Sequence, residues 1–182
     1  MDTSSAVAIA APFTASFEGF RAHPYWDVNG YAIGYGNHYY SDGTPVGAYD
    51  EPIDQATGQW LLSFTLNQVA SQVAAALSVP VSNNMLAALT DLGYNWGAGS
   101  VAGSILVRLI NQGADPANIA AQWQVTAATS GGQPNSDLVD RRAREAQLAF
   151  SETENVIGAS ALLLVGVFIA GFIYFTTKKN RR

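Results

Sequence analysis

Residues 17 to 37 read Phe17-Glu18-Gly19-Phe20-Arg21-Ala22-His23-Pro24-Tyr25-Trp26-Asp27-Val28-Asn29-Gly30-Tyr31-Ala32-Ile33-Gly34-Tyr35-Gly36-Asn37, and they decide the fold. Upstream, Pro12 suits the first position of a short helix, Phe13 and Phe17 fall one turn apart, and Gly19 accepts the left-handed turn that ends a helix. Glu18 is therefore expected in the last turn. It faces the negative end of the helix dipole, among Phe17, Phe20, Tyr25 and Trp26, and both influences disfavour a bare negative charge. A carboxyl kept neutral is what a general acid needs. Asp27 is expected elsewhere. Pro24 turns His23 out of helical geometry and Asn29-Gly30 signals a two-residue hairpin, so Asp27 ends a short strand entering a turn, and Tyr31 to Gly36 returns as a second strand. An acid on a wet turn keeps its charge. One protonated and one charged carboxyl is the division of labour in glycoside hydrolysis.

Three segments, Glu18-Gly19-x-Arg21, Tyr25-x-Asp27-x-x-Gly30 and Ile33-Gly34-Tyr35-Gly36, closely resemble the phage-type lysozymes and endolysins of glycoside hydrolase family 24. The resemblance continues through Tyr94-Asn95-Trp96-Gly97, the run Ser104 to Asn111, and Leu138-Val139-x-Arg141-Arg142-x-x-Glu145, covering roughly residues 12 to 150. It implies an α+β, lysozyme-like fold, with a sugar cleft between a small N-terminal lobe containing a β-hairpin and a helical C-terminal lobe. It implies a muramidase acting on bacterial peptidoglycan, with Glu18 and Asp27 as catalytic pair and Tyr94 and Ser104 touching the glycan. Read without the resemblance, Tyr94 is a core aromatic and Ser104 a helix cap. Arg141 and Arg142 are expected to pair with acids or helix ends.

Along the chain, Ala6 to Ala11 read as a helical lead-in and not a cleaved signal, because Asp2 stands where a basic region belongs and the apolar run is short. Residues 38 to 45 are turn-rich with room for a third short strand. Asp54 caps a long helix running to about Ser78, with Ala56, Trp60, Leu61, Phe64, Val69, Val73 and Leu77 at helical spacing. Further helices are expected from Met85 to Trp96, ending at Gly97-Ala98-Gly99, and from Ser104 to Asn111. Another follows the Asp115-Pro116 cap, and after a loop at 129–135 the last runs from Ser136 to about Phe150.

The chain has 182 residues, 48% of them apolar, enough for one domain with something added. With no cysteine there is neither a disulfide framework nor a thiolate metal site, and two histidines, His23 and His38, are too few for a metal cluster, so neither metal nor cofactor is expected.

Residues Val156 to Phe175 carry no charge over twenty positions, the length of a transmembrane helix. Before them stand all fourteen acids and five arginines, a net charge of −9, and after them a basic tail of +4. That asymmetry argues against a nucleic-acid partner and predicts a cytoplasmic or virion-interior tail with the enzyme domain facing outward. Residues 151–155 are the linker, about 17 Å at full stretch, which keeps the site close to its membrane. Gly166 and Ala170 form a small-xxx-small pair suited to self-association. An anchored enzyme of this kind suits a virion membrane or the host inner membrane.

The segment departs from the family in two places. The family's Thr between the Asp and the Ile-Gly-Tyr-Gly run is absent, because the segment is one residue short and the position falls on Ala32 or Ile33. Its His after the second Gly is replaced by Asn37, with His38 one place late. Three chemistries stay open: inversion through a water held by Asp27, direct attack by Asp27, or a lytic transglycosylase route through Glu18 alone. A structural glycan-binding protein of a virion membrane is the rival from another class.

Overall fold

The computed structural model describes residues 1–151. Helix α1 (Thr3–Glu18) starts at Asp2, whose carboxylate accepts from Ser4 N and Ser5 N. The lead-in and the short helix expected after Pro12 are thus one continuous helix, with Pro12 inside it. Proline deprives the Ala8 carbonyl of its donor, but Ala8 and Pro12 lie on the exposed side, where solvent satisfies that oxygen. Ala6, Val7, Ala10 and Thr14 face inward. Gly19, at φ 66°, ends the helix with its N–H on Ala15 O, so Glu18 is the last helical residue, as its spacing implied.

Strands β1 (Arg21–Asp27) and β2 (Gly30–Gly34) pair antiparallel, with Trp26 opposite Tyr31 and Asp27 opposite Gly30. The loop is Val28-Asn29, one residue earlier than the Asn29-Gly30 signal placed it. Cross-strand packing accounts for the shift: this register sets the Trp26 and Tyr31 rings edge to face with centroids 5.3 Å apart. The ladder is irregular between Arg21 and Tyr25, where Pro24 offers no N–H. In place of a third strand, residues 38–45 hold an isolated bridge between Tyr39 and Pro45.

Helix α2 (Gln55–Ala76) is capped by Asp54, which accepts from Thr57 N at 2.8 Å. Its buried stripe is Gly58, Leu61, Leu62, Leu66, Ala70 and Val73. Trp60 is 55% exposed and stacks on Phe64 away from that stripe. Gly58 belongs to that stripe for want of a side chain. A Cβ there would lie 2.7 Å from the Phe20 ring and 3.6 Å from Gly34 Cα, so its bare backbone lets the hairpin rest on α2. Ile33, Val46 and Leu61 form the small lobe's core, flanked by Tyr31, Tyr40 and Ile53.

Helix α3 (Asn83–Trp96), capped by Ser82, is buried from Met85 to Gly93 and packs against both α1 and α2. After Gly97, at φ 93°, comes α4 (Ala98–Ala102), a short helix that the glycines hid from the sequence reading; burial of Ala98 and Val101 explains it. α5 (Ile105–Asn111) starts at Ser104, and α6 (Pro116–Val125) at Asp115 with proline in its first turn. The expected loop at 129–135 holds a small hairpin, β3 (Thr129–Ser130) with β4 (Gln133–Pro134), turning on Gly131 and Gly132 at φ 56° and 78°. α7 (Ser136–Phe150) closes the described chain. The architecture is α+β and mostly helical, with its largest fully buried residues including Trp123, Leu62, Leu66, Leu86, Leu89 and Leu92. Among the described residues no helix is long and apolar enough to cross a membrane, and the segment Val156 to Phe175 lies outside them.

Candidate active site

Glu18 does not stand among apolar neighbours alone. Its Oε1 accepts from Arg141 Nη1 at 2.7 Å, while Arg141 Nε and Nη2 donate to Asp91 Oδ2 and Oδ1, each at 2.9 Å. The guanidinium also lies 4.8 Å from the centre of the Phe17 ring. Asp91 is fully buried on α3, and its two-pronged grip fixes where the third arm of Arg141 reaches. Arg141 pairs with acids as expected, but one of them is Glu18 itself. The sequence held a signal for this: Arg141, Arg142 and Glu145 share the buried face of α7 with Ala146 and Ala149, and charges on an inward face need partners.

Glu145 completes the cluster. Trp123 Nε1 donates to its Oε2 at 2.8 Å, and burial, helped by the bond to Asp91, pushes its carboxyl up to about 9 against the pull of Arg142. Arg142 Nη2 lies 2.7 Å from Glu145 Oε1, yet its hydrogen bond goes to Asn95 Oδ1 at 2.9 Å and Oε1 receives no donor. A carboxyl held so high keeps its proton at neutral pH. Burial raises Asp91, but bonds from Arg141 and Glu145 outweigh it and hold the group below its ordinary value.

The second oxygen of Glu18 faces the glycine-rich segment. A Cβ on Gly36, whose φ is 90°, would lie 3.6 Å from both Glu18 Oε2 and the Tyr94 hydroxyl. Tyr94, from α3, donates that hydroxyl to Tyr35 O at 2.7 Å. Burial and the nearby Glu18 charge hold its phenol above the ordinary value, so it stays a donor. Tyr94 thus ties the segment Ile33 to Gly36 to the helical lobe beside Glu18.

Asp27 ends β1 on the wet turn, its side chain 45% exposed. Oδ1 accepts from Val28 N at 2.8 Å and Oδ2 faces His38 Nε2 at 3.4 Å. Burial pushes the Tyr25 phenol up, and the charges of Asp27 and Glu18 both add to the rise, Arg21 opposing. Sequence reasoning took Tyr25 only as apolar wall.

Ser104 lies apart. Its Oγ accepts from Val107 N at 3.1 Å, a helix cap, and it borders a cavity of about 270 Å³ lined also by Gly103, Val107, Arg108 and Asn111, without Glu18, Asp27 or Tyr94. Ala32 and Ile33, the positions left for the family's threonine, are both fully buried. Their side chains point into the core. Among the described residues no group of three or more histidine or acidic side chains is placed to hold a metal ion.

The sequence matches the Phage lysozyme family over residues 15–145. It is 34% identical over 143 residues to the endolysin of Bacillus phage PZA, covering 76% of this chain but 52% of that protein, so it spans about half of that relative. The structure is similar to that of an endolysin from Escherichia coli O157:H7 phage FAHEc1, with a TM-score of 0.70 at 27% identity, over 84% of this chain and 95% of the other. It is similar too to the muramidase domain of SpmX from Asticaccaulis excentricus, with a TM-score of 0.64 at 26% identity, over 77% and 93%. This chain belongs to the phage lysozyme family.

Proposed function

We propose that the protein is a membrane-anchored muramidase that cleaves the β-1,4 bond between N-acetylmuramic acid and N-acetylglucosamine in bacterial peptidoglycan, in host cell wall lysis or penetration. The observation that carries this reading is the unequal holding of the two acids. Glu18 is fixed through one oxygen by Arg141, which leaves Oε2 at Gly36 and Tyr94, whereas Asp27 stands on an exposed turn with Oδ2 open towards His38. Glu18 in its protonated form gives a proton from Oε2 to the leaving glycosidic oxygen as the bond to the anomeric carbon breaks. Water adds to that carbon and its proton passes to Asp27. Tyr94 borders this path, and Ser104 touches the glycan from the cavity it lines.

The segment Val156 to Phe175 serves as a single-pass anchor in a virion membrane or the host inner membrane. The +4 tail lies inside and the enzyme domain outside, an assignment that rests on the charge asymmetry. Self-association in the membrane rests on Gly166 and Ala170. A second reading, lytic transglycosylation of the same bond, draws support from the inward-facing Ala32 and Ile33, which offer no hydroxyl to an attacking water. Release of soluble fragments from purified peptidoglycan tests the catalytic pair. Glu18→Gln and Asp27→Asn are each expected to fold and to lose about 10²- to 10⁴-fold in rate. Full activity in Glu18→Gln contradicts the assignment.

A further inference from the structure

We propose that His38 stands in for the missing threonine as the residue that positions the attacking water, acting together with Asp27. This rests on the muramidase reading above. Three observations place it. The bridge Ile33↔Asn37, with both N···O distances 3.0 Å, fixes the turn before His38, and Asn37 is pinned to α2 by Nδ2 donating to Thr65 Oγ1 at 2.9 Å. Val46 N binds His38 O at 2.9 Å from the other side. With its backbone held on both flanks, His38 turns its ring back over the hairpin, 34% exposed beside Asp27.

The ring's two nitrogens have different partners. Nδ1 lies 3.1 Å from Tyr31 O, a carbonyl that only accepts, so Nδ1 carries the hydrogen. In the neutral ring Nε2 is then an acceptor. It faces Asp27 Oδ2, another acceptor, at 3.4 Å, too long for a charge-assisted hydrogen bond but suited to two groups converging on one water. A water that donates one hydrogen to each turns its lone pair away from both, towards the substrate. On attack, the bond from the water oxygen to the anomeric carbon forms and the glycosidic bond breaks. The leaving oxygen takes the proton of Glu18, and the water's proton passes to Asp27 or Nε2. The charged group facing the ring is Asp27 from β1; from β2 Tyr31 presents its carbonyl.

The test measures kcat and KM for fragment release by the full chain, comparing wild type with His38→Ala, and identifies the new chain ends. The expected result is a fall in kcat of about a hundredfold at unchanged KM and unchanged thermal midpoint, with a larger share of 1,6-anhydro ends. Added imidazole restores part of the rate. Pyrrole, a ring of the same size without an acceptor nitrogen, does not. Equal rates in wild type and His38→Ala, or rescue by pyrrole as good as by imidazole, overturn the role of His38 and leave the muramidase reading standing. An inert wild type removes both.

Discussion

Replacing Arg141 by methionine deletes the guanidinium that joins Glu18 to the helical core and keeps most of its packing volume. The side chain is 6% exposed and makes two hydrogen bonds to Asp91, itself fully buried, and a third to Glu18. Each bond to a charged group is worth about 1.5–3 kcal/mol, but the larger effect is the Asp91 carboxylate left buried without a cation. Removing one partner of such a pair costs about 3–5 kcal/mol. At about 2–4 °C per kcal/mol for a domain of this size, the thermal midpoint falls by roughly 6–20 °C. Circular dichroism against temperature measures it. Asp91→Asn in the same chain removes the orphaned charge, so the double variant is expected to recover part of the loss, a non-additivity of about 1 kcal/mol or more. A midpoint within about 2 °C of wild type for Arg141→Met, or strict additivity in the double variant, refutes the claim that Arg141 neutralises Asp91 and steadies Glu18.

Two further outcomes are expected. Gly58→Ala gains about 1 kcal/mol of helix propensity, yet its Cβ meets the Phe20 ring at 2.7 Å, so urea unfolding should show a net loss of about 1–2 kcal/mol; a gain sinks the view that this glycine seats the hairpin. Glu145 is protonated in both folded and unfolded chains below about 4.5, whereas between there and about 9 only the unfolded chain gives up the proton, so its contribution makes stability fall as pH rises through that interval. Glu145→Gln keeps the acceptor for Trp123 and a donor for Asp91, and removes this slope, at most about 1.4 kcal/mol per pH unit. Urea midpoints should show its advantage over wild type growing from pH 5 to pH 9. A gap that is constant or shrinks contradicts a proton on Glu145.

What the sequence revealed was mostly local. Gly19 after Glu18, Asp54 before α2, Ser104 before α5 and Asp115-Pro116 before α6 act within one turn of themselves, and each marks a boundary where the structure has one. The hairpin was legible but its turn was displaced by one residue, because the Trp26–Tyr31 contact outranks the Asn-Gly preference. Helical spacing put Trp60 on α2 but cannot tell which of two apolar stripes faces the core, and Trp60 lies on the exposed one. Glu18 and Asp27 were read from their local sequence as well as from the family pattern, Tyr94 from the family pattern alone, and Gly36 lies against both Glu18 and Tyr94. The bond between Arg141 and Glu18 was hidden, since its partners lie 123 residues apart and meet only when α7 packs against the other helices. The contact of His38 with Asp27 was hidden as well, since it depends on Asn37 being pinned to α2.

The central claim is that the two acids direct water onto the glycan. Digestion of purified peptidoglycan in water enriched in oxygen-18, followed by mass spectrometry of the released fragments, tests it most directly. One heavy oxygen in each new reducing-end muramic acid, absent with Glu18→Gln, is the expected result. Unlabelled 1,6-anhydro ends from the wild-type protein would contradict it.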